Sequence, residues 1–225
     1  MSSPHPLDNP IWTALQTGHA HFAQGDSTLA WYPDDVGPFG GVAADGIPSA
    51  DALAYLHSRT EPIHVIGPRP TLPPTLTVAD HTVVQMTGDR VTPVAGGEPA
   101  SRVLTDADLP AMLDLMARVY PGYFRRRTNV LGQYIGIFHD DRLVAMGGER
   151  FLPADYCELS GIATDPSATG RGYARAIIDR LVTSIRNRGL RPFLHVSPGN
   201  TRAIHLYRSL GFVLRAELPI LTISS

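Results

Sequence analysis

An α/β fold built on a mixed sheet is what the sequence predicts, and three observations predict it. Stretches with the two-residue alternation of strands and stretches with the recurrence of helices succeed one another along the whole chain. Glycine or an Asx-Pro step stands at many of the junctions between them. The 225 residues are 43% hydrophobic and 18% charged, enough for one large core or for two of roughly 100 residues each.

The first element is a helix within LDNPIWTALQTGHAHFAQ, where Ile11, Leu15, His19 and Phe22 recur at helical spacing and Asp8 or Asn9 caps it ahead of Pro10. STLAWYP reads as a strand, SADALAYLHS as a short helix with Ser49 as N-cap, and IHVIG as a strand. The Pro-studded GPRPTLPPT is a loop, and TVVQMTG closes this half as a further strand. No motif here carries chemistry. His19 and His21 are two residues apart, so on a helix they do not share a face, and no third ligand stands at a supporting spacing; no metal site is expected. TGDRVTPVAGGEPAS, residues 87–101, joins Gly, Pro and Ser with little apolar content and reads as a linker, dividing the chain into segments 1–97 and 98–225.

In the second segment, LTDADLPAMLDLMARVY sets Leu109, Met112, Leu113, Met116 and Val119 on one helical face, with Thr105 or Asp106 as N-cap. GQYIGIFHDDRLVAMGGERF is a hairpin turning at Asp140-Asp141. CELSGIAT is a strand halted by Asp165-Pro166, and the Gly-rich SATGRGYA then runs straight into the helix ARAIIDRLVTSIRNRG, with Gly189 as its C′ residue. PFLHV is a strand, TRAIHLYRSLG a helix ending in glycine, and ELPILTI a final strand.

Composition removes several function classes. All nineteen basic residues are Arg, so Schiff-base lysines, a P-loop lysine and the kinase ion pair are absent. Sixteen Asp stand against five Glu, at 61, 98, 149, 158 and 217, so a glutamate acid or base is one of these five. A net charge of −2 creates no field for nucleic acid or an anionic membrane, and neither partner is expected. The lone Cys157 forms no internal disulfide and is too few for a cysteine zinc site, which fits a reducing cytosol. The start, MSSPHPLDNP, lacks the features of a signal peptide, and no window approaches 18 apolar residues; a cytoplasmic monomer or homodimer is expected.

A strand feeding a Gly-rich loop that opens a helix binds phosphate, because first-turn N–H groups and the helix dipole stabilise an anion. Residues 169–174, TGRGYA, supply this arrangement. A Walker loop needs a lysine, and a dinucleotide fingerprint needs a third glycine and an acid after the next strand; both are missing. The pyrophosphate of coenzyme A is the remaining candidate.

GIATDPSATGRGYARAIIDRLV resembles the acyl-CoA-binding motif Q/R-x-x-G-x-G/A of the GNAT superfamily of N-acyltransferases, with Gly172 and Ala174 at its last two fixed positions. NTRAIHLYRSLGF, residues 200–212, is similar to the second signature, N-x-x-A-x-x-L-Y-x-x-x-G-F. The similarity covers about residues 102–225, and PGYFRRRTNVLGQYIGI with LVAMGGERF looks like the FR-type branch that includes glycine N-acyltransferase-like proteins. Thr169 departs from the usual Gln or Arg, which weakens the site without abolishing it.

The resemblance implies a C-terminal GNAT fold in residues 98–225; the strand and helix order of 1–97 alone reads as a degenerate copy of the same α/β fold, packed against it and closing one wall of the acceptor pocket. The resemblance further implies that Ile162, Ala163 and Thr164 align the pantetheine arm. Thr169, Gly170, Arg171, Gly172, Tyr173, Ala174 and Arg175 then hold the pyrophosphate, and Asn200 contacts pantetheine or caps its helix. Tyr207 is the implied acid for the departing thiolate. Glu158, four residues before Ile162, is the implied base, because an amine must be neutral to attack; Glu149 and water are its rivals. Tyr120, Tyr123, Phe124 and Glu149 are implied on the acceptor side, while Arg125, Arg126 and Arg127 face an anion or solvent. Cys157 is not expected as a nucleophile, having no activating His placed by sequence. The expected function is N-acetyl transfer from acetyl-CoA to a small-molecule or peptide amine in a ternary complex; the alternative is a CoA-binding sensor that lost catalysis.

Overall fold

The computed structural model describes residues 5–44, 46–93 and 99–225. The expected boundary at 97/98 lies outside the described residues. In chain order the structure gives α1 (Pro10–Gln16), β1 (Gln24–Gly25), β2 (Leu29–Trp31), β3 (Phe39–Val42), α2 (Ala50–Ser58), β4 (Ile63–Ile66) and β5 (Thr77–Thr87). There follow β6 (Ser101–Val103), α3 (Leu109–Val119), β7 (Tyr134–His139), β8 (Arg142–Glu149) and β9 (Tyr156–Thr164). The chain ends with α4 (Tyr173–Asn187), β10 (Arg191–Val196), α5 (Thr201–Leu210) and β11 (Val213–Ser224). The fold is the mixed α/β class the sequence predicts.

Local chemistry accounts for most element ends. Ser49 accepts from the Ala52 N–H (3.1 Å) at the start of α2, and Asn200 accepts from the Ala203 N–H (3.1 Å) at the start of α5. Asp140 and Asp141 both adopt positive φ, 49° and 58°, as a two-residue turn matched to strand twist requires between β7 and β8. Helix α1 stops at Gln16, earlier than the spacing predicts, and His19 turns inward to Tyr32, its Nδ1 2.9 Å from the phenol oxygen. Strand β3 escaped the sequence reading because Phe39-Gly-Gly-Val42 is buried throughout and lacks alternation. A Cβ on Gly41 would lie 2.3 Å from the Trp12 backbone nitrogen, so α1 sits directly on this strand.

The strands form one sheet in the order β1-β2-β3-β4-β11-β5-β10-β9-β8-β7-β6. Strand β5 lies between β11 and β10, antiparallel to both, with Thr87 opposite Val213 on one side and Phe193 on the other. A strand of the N-terminal segment therefore fills the gap between the last two strands of the C-terminal one. The two segments share one sheet.

Alternation along β9, β10 and β5 sends Cys157, Leu159, Leu194, Val196, Val84 and Met86 into a core with α4 and α5. Tyr156 and Phe193 face the other way, into a core with α1. Helix α4 brings Ile177, Ile178, Leu181, Val182 and Ile185, all fully buried, and their burial contributes on the order of 10 kcal/mol before entropy is counted. This fixes the N-terminus of α4 beside the end of β9.

Candidate active site

The site begins where two parallel strands part. Strands β9 and β10 are in register only at Tyr156↔Arg191, Cys157↔Pro192 and Glu158↔Phe193. Beyond that point β9 follows β8 to Thr164, while β10 stays with β5. A register shift at Gly147 marks a bulge, with Gly161 of β9 at φ 61°. The β10-facing edge of β9 past Glu158 is thus left without a strand partner, a row of main-chain donors and acceptors that an extended ligand can pair with.

After β9 the Asp165 carboxylate accepts from the Ser167 N–H (3.0 Å) and hydroxyl (2.6 Å), which turns the chain into the glycine loop. Gly170 and Gly172 take φ 78° and 77°, and Gly172 opens α4 with no side chain capping it. A Cβ at Gly172 would meet nothing within 4 Å, so the space before the helix N-terminus is open. The free N–H groups of the first turn and the helix dipole make this an anion seat.

A cleft of about 510 Å³ runs from this loop along α5. Of the residues expected to hold the cofactor, Ile162, Thr164, Thr169, Gly170, Gly172, Tyr173, Ala174, Arg175 and Asn200 line it. Two do not. The Ala163 side chain is buried against the α3 side of the sheet, and Arg171 lines a neighbouring hollow with His139 and Arg142. Tyr207 also lines the cleft, and burial pushes its phenol up to about 12. Arg202 and His205, which the sequence reading passed over, join it from α5, five and two residues before Tyr207.

A second hollow, of about 360 Å³, gathers Phe39, Ile66 and His81 from the N-terminal segment with Tyr120, Tyr123, Arg150, His195, Pro198 and Thr222. The turn between β10 and α5 separates the two, with Ser197 and Pro198 in this hollow and Asn200 in the cleft. Tyr123 stacks with Phe39 and with Tyr120 (ring centroids 6.1 and 5.4 Å). Phe124 and Glu149 stand elsewhere. Phe124 packs edge-on against Tyr134 (5.5 Å) and faces a different hollow with Arg125. Glu149 lies on the α4 face, bonded to Arg188 (2.5 Å) and the Gln133 N–H (3.3 Å). Arg125 and Arg127 are tied to Glu61 (2.6 Å) and Asp35 (3.3 Å), holding their loop to the N-terminal segment.

Glu158 is fully buried beside the second hollow. Its Oε2 accepts from Arg150 Nε (2.9 Å), and its Oε1 from Arg150 Nη2 (2.7 Å) and His195 Nδ1 (2.8 Å). Burial alone raises a carboxyl pKa, but the Arg150 charge and the His195 contact outweigh it and hold Glu158 at about 2. His195 Nε2 meets Gln85 Nε2 at 2.9 Å. That amide also donates to the Leu7 carbonyl (2.9 Å) while its oxygen accepts from Arg215 (2.7 Å), so the amide orientation is fixed and the imidazole accepts at Nε2. The result is a buried chain from Arg215 through Gln85, His195 and Glu158 to Arg150. Arg150 in turn lies over Phe39 and Phe151, 4.8 and 4.5 Å from their centroids. Strand alternation put Arg150 opposite Glu149, the only hint available in sequence; Glu158 reaches it from β9 and Phe39 from β3, while Phe151 is its chain neighbour. Burial pushes the Cys157 thiol well up, which leaves it inert.

Residues 104–212 match the pattern of the acetyltransferase (GNAT) family. The chain is 39% identical over 115 residues to the bS18-alanine N-acetyltransferase of Escherichia coli strain K12, a match covering 48% of this chain and 77% of that protein. The Salmonella typhimurium protein of the same name is 31% identical over 116 residues, covering 49% and 78%. Of two further curated relatives the matches span only 33% and 47% of the length. A solved structure from Novosphingobium aromaticivorans, described as a putative acetyltransferase from the GNAT family, is 31% identical, covers 99% of both chains and superposes with a TM-score of 0.89.

Proposed function

The chain belongs to the acetyltransferase (GNAT) family and is an acetyltransferase acting on amines, and from that premise we propose that it moves an acetyl group from acetyl-CoA to the primary amine of a small acceptor by direct attack in a ternary complex. The observation that carries this reading is the parting of β9 and β10, with an anion seat along one side and an aromatic hollow along the other. Bound there, acetyl-CoA supplies the acetyl group activated as a thioester.

The residues of the chain divide the work. First-turn N–H groups from Gly172 onward, with the glycine loop, hold a pyrophosphate. The unpartnered edge of β9 around Ile162, Ala163 and Thr164 aligns an extended pantetheine arm by main-chain hydrogen bonds. Asn200 caps α5 and so fixes the helix that carries Tyr207. With its pKa raised, the Tyr207 phenol stays protonated through the neutral range and donates a hydrogen bond to sulfur as negative charge develops there. Glu158 holds Arg150 and His195, because a carboxylate at about 2 with both oxygens engaged is a weak proton acceptor. The acceptor's proton passes to water in the hollow. Residues of the N-terminal segment, Phe39, Ile66 and His81 among them, close the acceptor side.

Thiol release from acetyl-CoA across a panel of primary amines tests the reading. Release that depends on an amine, with acetylated product seen by mass spectrometry, is expected. Tight binding of acetyl-CoA with no release for any amine would turn the reading to a sensor, the role that Thr169 in the first motif position favours.

A further inference from the structure

The second hollow has an electrostatic character that the amine chemistry alone does not require. Among the described residues that line it there is no Asp or Glu, and its fixed cation is Arg150. Glu158 occupies Nε and Nη2 of that guanidinium, and among the described residues Nη1 has no hydrogen-bond partner. The guanidinium is held rigidly, between a buried carboxylate and two aromatic faces. His64, which touches Tyr123 and Thr222 at the same place, has its pKa lowered to about 4, first by burial and then by Arg150, Arg125 and Arg59. Of the charges acting on His64 there, Arg150 is the largest.

A hollow built for a polyamine or another plain cation carries carboxylates; this one carries an arginine edge among aromatic rings. Its size, about 360 Å³, lies at the small end of small-molecule sites. We propose that the acceptor bears a carboxylate beside its amine, as a free α-amino acid with an apolar or aromatic side chain does, and that Arg150 anchors this carboxylate while Phe39, Tyr120 and Tyr123 receive the side chain. The proposal rests on the reading of the hollow as the acceptor site. It separates this chain from an enzyme acting on protein N-termini, whose first residue carries no carboxylate.

The test is direct binding, read by calorimetry on the full chain without acetyl-CoA, so that it stands apart from turnover. L-phenylalanine, L-phenylalaninamide and phenethylamine are compared, with L-leucine and L-methionine as further acids. The free acids are expected to bind about 10- to 100-fold more tightly than the amide or the bare amine, the range of a charge-assisted hydrogen bond. Equal binding of acid and amide, or no binding of any acid at about 10 mM, overturns the proposal even if thiol release is seen with other amines. Loss of thiol release for every amine, with the acid preference in binding intact, overturns only the acetyl-transfer reading. Because Arg150→Gln alone strands a buried carboxylate, the double variant Arg150→Gln/Glu158→Gln is used beside Arg150→Lys. The preference is expected to fall to about onefold in the double variant and to survive in part in Arg150→Lys. A folded double variant that keeps the full preference overturns the assignment to Arg150.

Discussion

The cleft along α4 and α5 and the aromatic hollow beside it are built in opposite ways. The cleft comes from two continuous stretches, 162–175 and 200–209, and its chemistry is mostly main chain: a strand edge, two glycines and a helix N-terminus. The hollow comes from seven separate stretches between Phe39 and Thr222, and its chemistry is side chain: stacked rings and one guanidinium held by a buried network. A backbone device is encoded by local spacing and survives many substitutions. A side-chain device depends on which distant strands meet.

The largest test of that contrast removes the N-terminal segment. A 98–225 fragment lacks β5, which lies between β10 and β11, and it is expected to yield no folded, active protein by circular dichroism and thiol release. A soluble fragment that still binds acetyl-CoA would mean that the cleft stands without the hollow. Next comes Glu158→Gln, which leaves Arg150 buried without its counter-charge and is expected to cost about 3–5 kcal/mol in urea unfolding. If Glu158 were a proton acceptor instead, turnover would fall while stability held.

On the cleft side, Gly172→Val forces a β-branched residue to a φ of 77° and crowds the anion seat. The KM for acetyl-CoA is expected to rise about 100-fold, roughly 2.7 kcal/mol, with binding of acceptor acids unchanged. Tyr207→Phe is expected to lower kcat about 30-fold, roughly 2 kcal/mol, with little change in KM, as the loss of a hydrogen bond to developing charge would give. Full turnover in that variant removes the role assigned to Tyr207.

The smallest effect belongs to the core beneath the hollow. His19, 3% exposed, has its pKa lowered to about 4 by burial and by His21. In the unfolded chain it titrates near ~6.5, so the unfolded state takes up a proton first as pH falls. Stability from this group is full above about pH 6.5 and drains toward about pH 4, a loss of up to roughly 2 kcal/mol between about pH 7.5 and about pH 5. His19→Asn should flatten that part of the urea-midpoint profile; an unchanged slope would assign it to other groups.

Most elements were legible because capping and turn residues act over a few positions: Ser49, Asn200, Asp140-Asp141 and the glycines of the loop all serve as their types suggest. The misses share a cause. Strand β3 is glycine-bearing and buried on both faces, so it shows no alternation. Phe124 and Glu149 are chain neighbours of Tyr123 and Arg150 but face away from the aromatic hollow. Glu158 stands on the strand and spacing expected of it, yet whether it takes a proton or holds an arginine depends on Arg150 and His195, eight and thirty-seven residues away.

The sequence by itself determined the α/β class, the family signatures and the glycine loop that opens α4, because periodicity, caps and glycine conformations are short-range properties of the chain. Only the tertiary structure decided that residues 77–87 complete the sheet of the C-terminal segment, and that Arg150 is the cation lining the aromatic hollow. Burial and ion pairing are properties of what surrounds a side chain, and no local pattern records them.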